Sequence, residues 1–151
     1  MPNFGYSVTG LDRDKSAIAA KRDSPVSFKK TREVCHAIQG MPLQKAKDYL
    51  DRAEKMEIAI PFKRYNKMIP HHKEGPGPSR FPIKSIKVVK ELLKDVETNA
   101  EYKGLDVDKC RIVHCCVNMG RVYKKYIPRA FGKSSPYFHY RTHIEIAILE
   151  Q

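Results

Sequence analysis

The chain has 151 residues, 41% of them hydrophobic, and 29 Lys and Arg stand against 17 Asp and Glu for a formal net charge of +12. That length suits one ordinary domain with a modest core, and the apolar content argues against wholesale disorder. A charge so far from neutral says nothing of fold but asks for a polyanionic partner.

No apolar stretch approaches the ~18 residues of a membrane span, and the N-terminus lacks the basic start and apolar run of a secretory signal. Cys35, Cys110, Cys115 and Cys116 do not make a disulfide framework, so a reducing cytosol is expected.

In chain order, residues 6–9 alternate apolar and polar and suggest a short edge strand. Residues 10–26 read as polar connection, punctuated by Gly10 and Pro25. From Ser27 the spacing of Thr31, Val34, Ala37 and Ile38 predicts a helix closed by Gly40. Pro42 then opens a second helix striped by Leu43, Ala46, Leu50 and Ala53. Residues 61–82 hold five of the ten prolines together with Lys63, Arg64, Lys67, Lys73 and Arg80. Such a segment is neither a regular helix nor a central strand, and a loop of this length is usually functional or ordered by a partner. Pro82 begins the longest helix, with Ile86, Val89, Leu93, Val96 and Ala100 on one face and Gly104 at its end. The last third alternates as strand does: Val113, Cys115, Val117 and Met119 in one run, Ile144, Ile146 and Ile148 in another. Antiparallel pairing of these two gives an α+β fold, three helices packed on a small antiparallel sheet with a long extended β-hairpin.

Residues 120–141 form the arms and tip of that hairpin. From Lys109 through His143 there is no Asp or Glu, while Lys109, Arg111, Arg121, Lys124, Lys125, Arg129, Lys133 and Arg141 all fall there. Six of the fourteen aromatic residues lie between Tyr123 and Tyr140. Each limb, about ten residues at ~3.3 Å apiece, would carry the tip roughly 30 Å outward. A lone two-stranded ribbon is marginal in water, and uncompensated positive charge makes it worse. Folded RNA offers phosphates for Arg and Lys and unpaired bases for Tyr and Phe.

Here the chain resembles a known family. The strings PRAFGKSSPY and RTHIEIAILE are similar to the hairpin tip and last strand of the twenty-second protein family of the large ribosomal subunit, the seventeenth in eukaryotic naming. SFKKTREVCHAIQGM resembles the family's first helix, ETNAEYKGLDVDKCRI the end of its third, and the IPFKRYN segment with its Pro/Gly-rich insert its archaeal and eukaryotic branch. The resemblance runs from residue 6 to 150. It implies a single domain over 1–151 that binds large-subunit ribosomal RNA, aids its assembly, touches neighbouring ribosomal proteins, and lines the nascent-peptide exit tunnel with its tip. The cations that would meet RNA are Lys29, Lys30, Arg32, Lys63, Arg64, Lys67, Arg80, Arg121, Lys124, Lys125, Arg129, Lys133 and Arg141. Arg129, Ala130, Phe131, Gly132 and Lys133 would meet the nascent polypeptide. Phe131 departs from the family pattern, standing where many relatives are basic or polar.

Other chemistries fit worse. No Cys pair has zinc-finger spacing, and Cys115 and Cys116 diverge on a strand, so the cysteines read as small buried hydrophobes and no metal or cofactor is expected. The histidines lie on different elements with no nucleophile, base and orienting group to assemble, so no catalytic residue is assigned. A free nucleic-acid-binding regulator or RNA chaperone is the remaining alternative. The first two helices superficially resemble a helix-turn-helix, but Asp48, Asp51 and Glu54 would place carboxylates against phosphate.

Overall fold

A computed structural model describes residues 5–150. Its central feature is a three-stranded antiparallel sheet in the order β1-β7-β4. These strands are β1 (Ser16–Ser24), β4 (Cys110–Tyr123) and β7 (His139–Glu150). Strand β7 is the middle one, paired with both β1 and β4, and its inward residues Ile144, Ile146 and Ile148 are all fully buried. Helices α1 (Phe28–Ile38), α2 (Leu43–Glu54) and α3 (Ile83–Tyr102) share one apolar cluster with that sheet. Leu92, Leu93, Val96 and Ala100 of α3, and Val34 and Ile38 of α1, have no exposed surface. Burial of each such Leu, Ile or Val stabilises the fold by about 1.5–3 kcal/mol.

The three expected helices form where the spacing places them, with Gly40 and Gly104 just past the ends of α1 and α3. The connection expected at residues 10–26 is instead largely strand, since β1 covers most of it. Ala17 and Ala19 are buried, but Ser16, Ile18 and Ala20 flank them; inward residues no larger than their neighbours gave the alternation too little hydrophobic contrast to read. Residues 6–9 form no strand. Ser7 nevertheless ties that stretch to the sheet, because its N–H and hydroxyl both donate to Glu145 Oε2, at 2.8 and 2.6 Å. Asn99 and Lys103 fasten β1 to α3 by donating to the carbonyls of Ile18 (3.0 Å) and Ser16 (2.8 Å).

The phase of β4 also differs from the regular alternation. Ile112 pairs with Ile148 but His114 pairs with Ala147, so Val113 is an extra residue and is exposed. This bulge puts Cys110 and Ile112 inward before it, and Val117 inward after it. The carbonyl and N–H of Ile112 are taken by Gly40 N–H (2.8 Å) and Met41 carbonyl (3.0 Å), so the α1–α2 turn docks beside the bulge.

A second irregularity lies between Met119 and Val122, at Gly120. Beyond it the hairpin leaves the body, and no residue from Arg121 to Tyr140 is buried. Pairing continues to Tyr123 opposite His139, then through β5 (Tyr126–Pro128) and β6 (Ser134–Pro136). At the tip the Lys133 N–H donates to the Ala130 carbonyl, and Phe131 and Gly132 both have positive φ, +57° and +67°. Two such residues make the turn whose twist suits an antiparallel hairpin. Residues 61–82 are mostly irregular, crossed by the two-residue strands β2 (Ile60–Pro61) and β3 (Ser79–Arg80). Among the described residues no helix is long and apolar enough to cross a membrane.

A Cβ at Gly120 would sit 2.9 Å from His143 Nε2 and 3.2 Å from the Arg141 carbonyl oxygen. The His143 ring is held from its other side, where Nδ1 accepts the Asp23 N–H at 3.2 Å. Gly120→Ala should therefore destabilise the protein by about 1–3 kcal/mol, the range for overpacking, in urea unfolding. An unchanged midpoint would show that the ring yields freely.

Candidate nucleic-acid interface

The acidic residues are distributed unevenly. Lys90 of α3 meets Asp51 and Glu54 of α2 at 2.6 and 2.5 Å. Lys47 pairs with Glu97, Lys21 with Glu91, and Lys109 with Asp106 at 2.8 Å. The hydrogen bonds that Lys90 donates to Asp51 and Glu54 raise its ammonium above its ordinary pKa, and Lys109 lowers the Asp106 carboxyl below its own. Two of the three carboxylates of α2, Asp51 and Glu54, are thus committed to α3, while Asp48 stays exposed and would meet phosphate unfavourably, so that helix is a poor recognition surface. Among the described residues, none of the thirteen cations assigned to RNA takes part in an ion pair.

Nine of those thirteen gather around α1 and the hairpin root. One cleft, of about 540 Å³, is lined by Lys29, Lys30, Arg64, Lys67 and Arg80 together with Tyr65. Another, of about 260 Å³, brings Arg32, Lys63 and Arg64 against His114 and Cys116 of β4. A third, of about 810 Å³, sets Lys29 opposite Lys125 and Arg141. Shared lining residues join the three into one continuous basic face. Arg121, Lys124, Arg129 and Lys133 are not brought into it; they stand out along the hairpin, all exposed. Arg129 reaches across the tip, its Nε donating to Ser135 Oγ at 3.3 Å, and Arg80 braces the insert through the Met68 carbonyl at 3.3 Å.

The residue that organises this face is an acid. Glu33 lies on the buried side of α1, 2% exposed. Its carboxylate accepts the backbone N–H groups of Lys63 (2.9 Å), Arg64 (3.1 Å) and Tyr65 (3.0 Å). Three charge-assisted bonds compensate the burial of the carboxylate and fix the start of the insert against the helix. Tyr65 then packs edge-on to Phe28 at 6.4 Å, and Lys29 lies 5.5 Å from its ring centre. Neither Glu33 nor Tyr65 follows from the charge count. The signal available for Glu33 is that it is the only acid between Asp23 and Asp48.

Thr142 does for the hairpin root what Glu33 does for the insert. It is fully buried, and its hydroxyl donates to the Val26 carbonyl at 2.8 Å, tying β7 to the segment that enters α1. Thr31 adds a second tie, donating to the Ser27 carbonyl at 2.9 Å with its oxygen 3.0 Å from Ser85 Oγ.

Cys35 and Cys110 are buried, as expected of small hydrophobes. Cys115 packs against the core beside Cys35, and burial pushes its thiol well above the ordinary thiol range. Cys115 and Cys116 are both only partly buried, so the reading of all four cysteines as buried holds in full for Cys35 and Cys110.

The family described as "Ribosomal protein L22p/L17e" matches residues 19–149. Among curated relatives, "Large ribosomal subunit protein uL22" of Thermofilum pendens is 40% identical over 150 residues, covering 99% of each chain. Its namesake in Ignicoccus hospitalis is 41% identical over 157 aligned positions, again 99% of each. That of Methanopyrus kandleri is 42% identical over 144 residues, 93% of this chain and 91% of its own.

Removing the central acceptor tests how the face is held. Glu33→Ala leaves three backbone donors without their partner and should cost about 1–3 kcal/mol of stability. Hydrogen exchange should accelerate at the amides of Lys63, Arg64 and Tyr65 more than at those of α3. Uniform acceleration would mean that Glu33 serves the whole core rather than the insert.

Proposed function

Because the chain belongs to the ribosomal protein L22p/L17e family, in its archaeal and eukaryotic branch, we propose that it binds large-subunit ribosomal RNA, aids that RNA's assembly, and lines the nascent-peptide exit tunnel with its hairpin tip. The family is structural and non-enzymatic, and its members are constituents of the large ribosomal subunit, a cytoplasmic particle. Ribosomal RNA and neighbouring ribosomal proteins are the partners.

The observation that carries the RNA reading is the separation of charge. Four carboxylates on α2 and α3, those of Asp51, Glu54, Glu91 and Glu97, are paired within the fold, while thirteen cations on α1, the insert and the hairpin are left for an external anion. Neutralising phosphates with these cations releases condensed counterions, which drives association and makes it salt-dependent. The hairpin gains most. No residue from Arg121 to Tyr140 is buried, and holding each residue in place costs about 1–2 kcal/mol of backbone entropy. RNA folded around the arms supplies the missing contacts, so ordering the hairpin and compacting the RNA are one coupled event. The protein acts as one RNA-binding unit in which the body anchors and the hairpin reaches.

Phe131 supports the placement of the tip. It is 98% exposed and touches no core, and a bulky aromatic at φ +57° is an unfavourable choice for this turn, where Asn or Gly would relax the backbone. Neither packing nor turn chemistry accounts for it. A residue that faces a channel, with Arg129, Ala130, Gly132 and Lys133 around it, answers to what passes through.

Two measurements test this reading. The affinity for a large-subunit RNA fragment should fall steeply with salt, and Lys125→Ala should lower the slope of log K against log[salt] by about one; a salt-independent affinity contradicts the reading. Phe131→Ala should change translational stalling or nascent-chain passage while leaving subunit assembly at the wild-type level. Equal damage to both would make the tip an anchor in RNA rather than a wall of the tunnel.

A further inference from the structure

The cleft of about 810 Å³ lies where the hairpin meets the body, and its lining mixes two kinds of side chain. Lys29, Lys125 and Arg141 supply charge; Tyr123, Phe138 and Tyr140 supply aromatic surface. No Asp or Glu borders it. We infer that this cleft takes an unstacked nucleotide of single-stranded RNA, its base against the tyrosines at the hairpin root and its phosphate between Lys29 and Arg141. The inference rests on the RNA-binding reading and adds to it the form of RNA that this one place recognises.

Three observations support it. The first is the unusual exposure of large apolar side chains here: Met119 is 62% exposed, Tyr140 52% and Tyr123 43%. Phosphate contact alone does not use such surface, whereas the face of a base does. The second is rigidity. The cleft floor is pinned by the buried Thr142–Val26 hydrogen bond, so the aromatic wall on β7 and the strand-to-helix wall at residues 25–29 cannot part freely. Phe138 is also held, edge-on to Tyr126 with ring centres 5.7 Å apart. The third is the pairing of charge with ring: the Arg141 guanidinium lies 5.2 Å from the centre of Tyr123, where it steadies the ring and presents donors to a phosphate.

A duplex does not satisfy this arrangement. In A-form RNA the bases are stacked on one another, leaving sugars and phosphates outermost, so the tyrosines would gain nothing. A cleft of about 810 Å³ falls in the range of pockets that enclose small ligands, which suits a splayed-out nucleotide.

The experiment uses the full chain, a fluorescein-labelled ten-nucleotide oligouridylate and a labelled RNA duplex of the same length, read by fluorescence anisotropy at fixed salt. Tyr123→Ala should weaken the single strand about tenfold, the effect of losing one stacked base, and leave the duplex within twofold. Tyr123→Phe should bind both probes as the wild type does. Tyr123 lies outside the core, and matching thermal midpoints check that each variant is folded. Equal weakening of both probes, or no change in either, overturns the base-binding cleft and leaves the RNA reading standing. Failure of the wild type to bind either probe in a salt-dependent way overturns that reading, and the cleft with it.

Discussion

Three successive backbone N–H groups, of Lys63, Arg64 and Tyr65, converge on the carboxylate of Glu33. The cations of α1 and those of the insert lie on separate stretches of chain, and mutual repulsion would drive them apart. A buried negative charge placed between them, satisfied by backbone rather than by the lysines themselves, holds the segments together while leaving every ammonium and guanidinium outward. Had Glu33 instead paired with a side chain, one cation would have been withdrawn from the face. Using main-chain donors keeps the surface charge intact.

The same economy explains the opposite side. Lys90 bridges Asp51 and Glu54, and Lys47 meets Glu97. Half-exposed pairs of this kind contribute little stability individually. Their larger effect is to dispose of carboxylates that would otherwise repel an anionic partner. The fold therefore has a neutralised flank on α2 and α3 and a cationic one on α1, the insert and the hairpin, joined through a single apolar cluster.

Much of this was legible in the amino-acid order because it depends on periodicity and composition. The apolar stripes of α1, α2 and α3 and the isoleucines of β7 project directly into the core. The acid-free run from Lys109 to His143 marks the hairpin. What stayed hidden depends on irregularity or on long-range partners. The inward alanines of β1 have Ile18 and Ala20 among their neighbours rather than polar residues alone, which leaves almost no alternating signal, and only pairing with β7 makes it a strand. The bulge at Val113 inverts the apparent phase of β4, and no local rule foretells an unpaired residue in an otherwise regular run. Of the interface, the cations could be named from the chain, but their meeting could not. Arg32 and Lys63 come to one cleft because Glu33 binds the insert, a contact spanning some thirty residues.

The strand order β1-β7-β4 has a bearing on biogenesis. Strand β7 follows every other strand in the chain yet is the one to which both β1 and β4 are hydrogen-bonded. While the polypeptide is being made, β1 and β4 have no neighbour to pair with, and the helices have no completed sheet to cover. Closure therefore waits for the final segment to emerge, and a premature stop that removed it would leave two orphan edges and an open, basic arm. Contacts this distant in sequence are slow to form, so newly made copies pass through an interval in which a protective escort, or prompt capture by the nascent particle, decides between incorporation and aggregation.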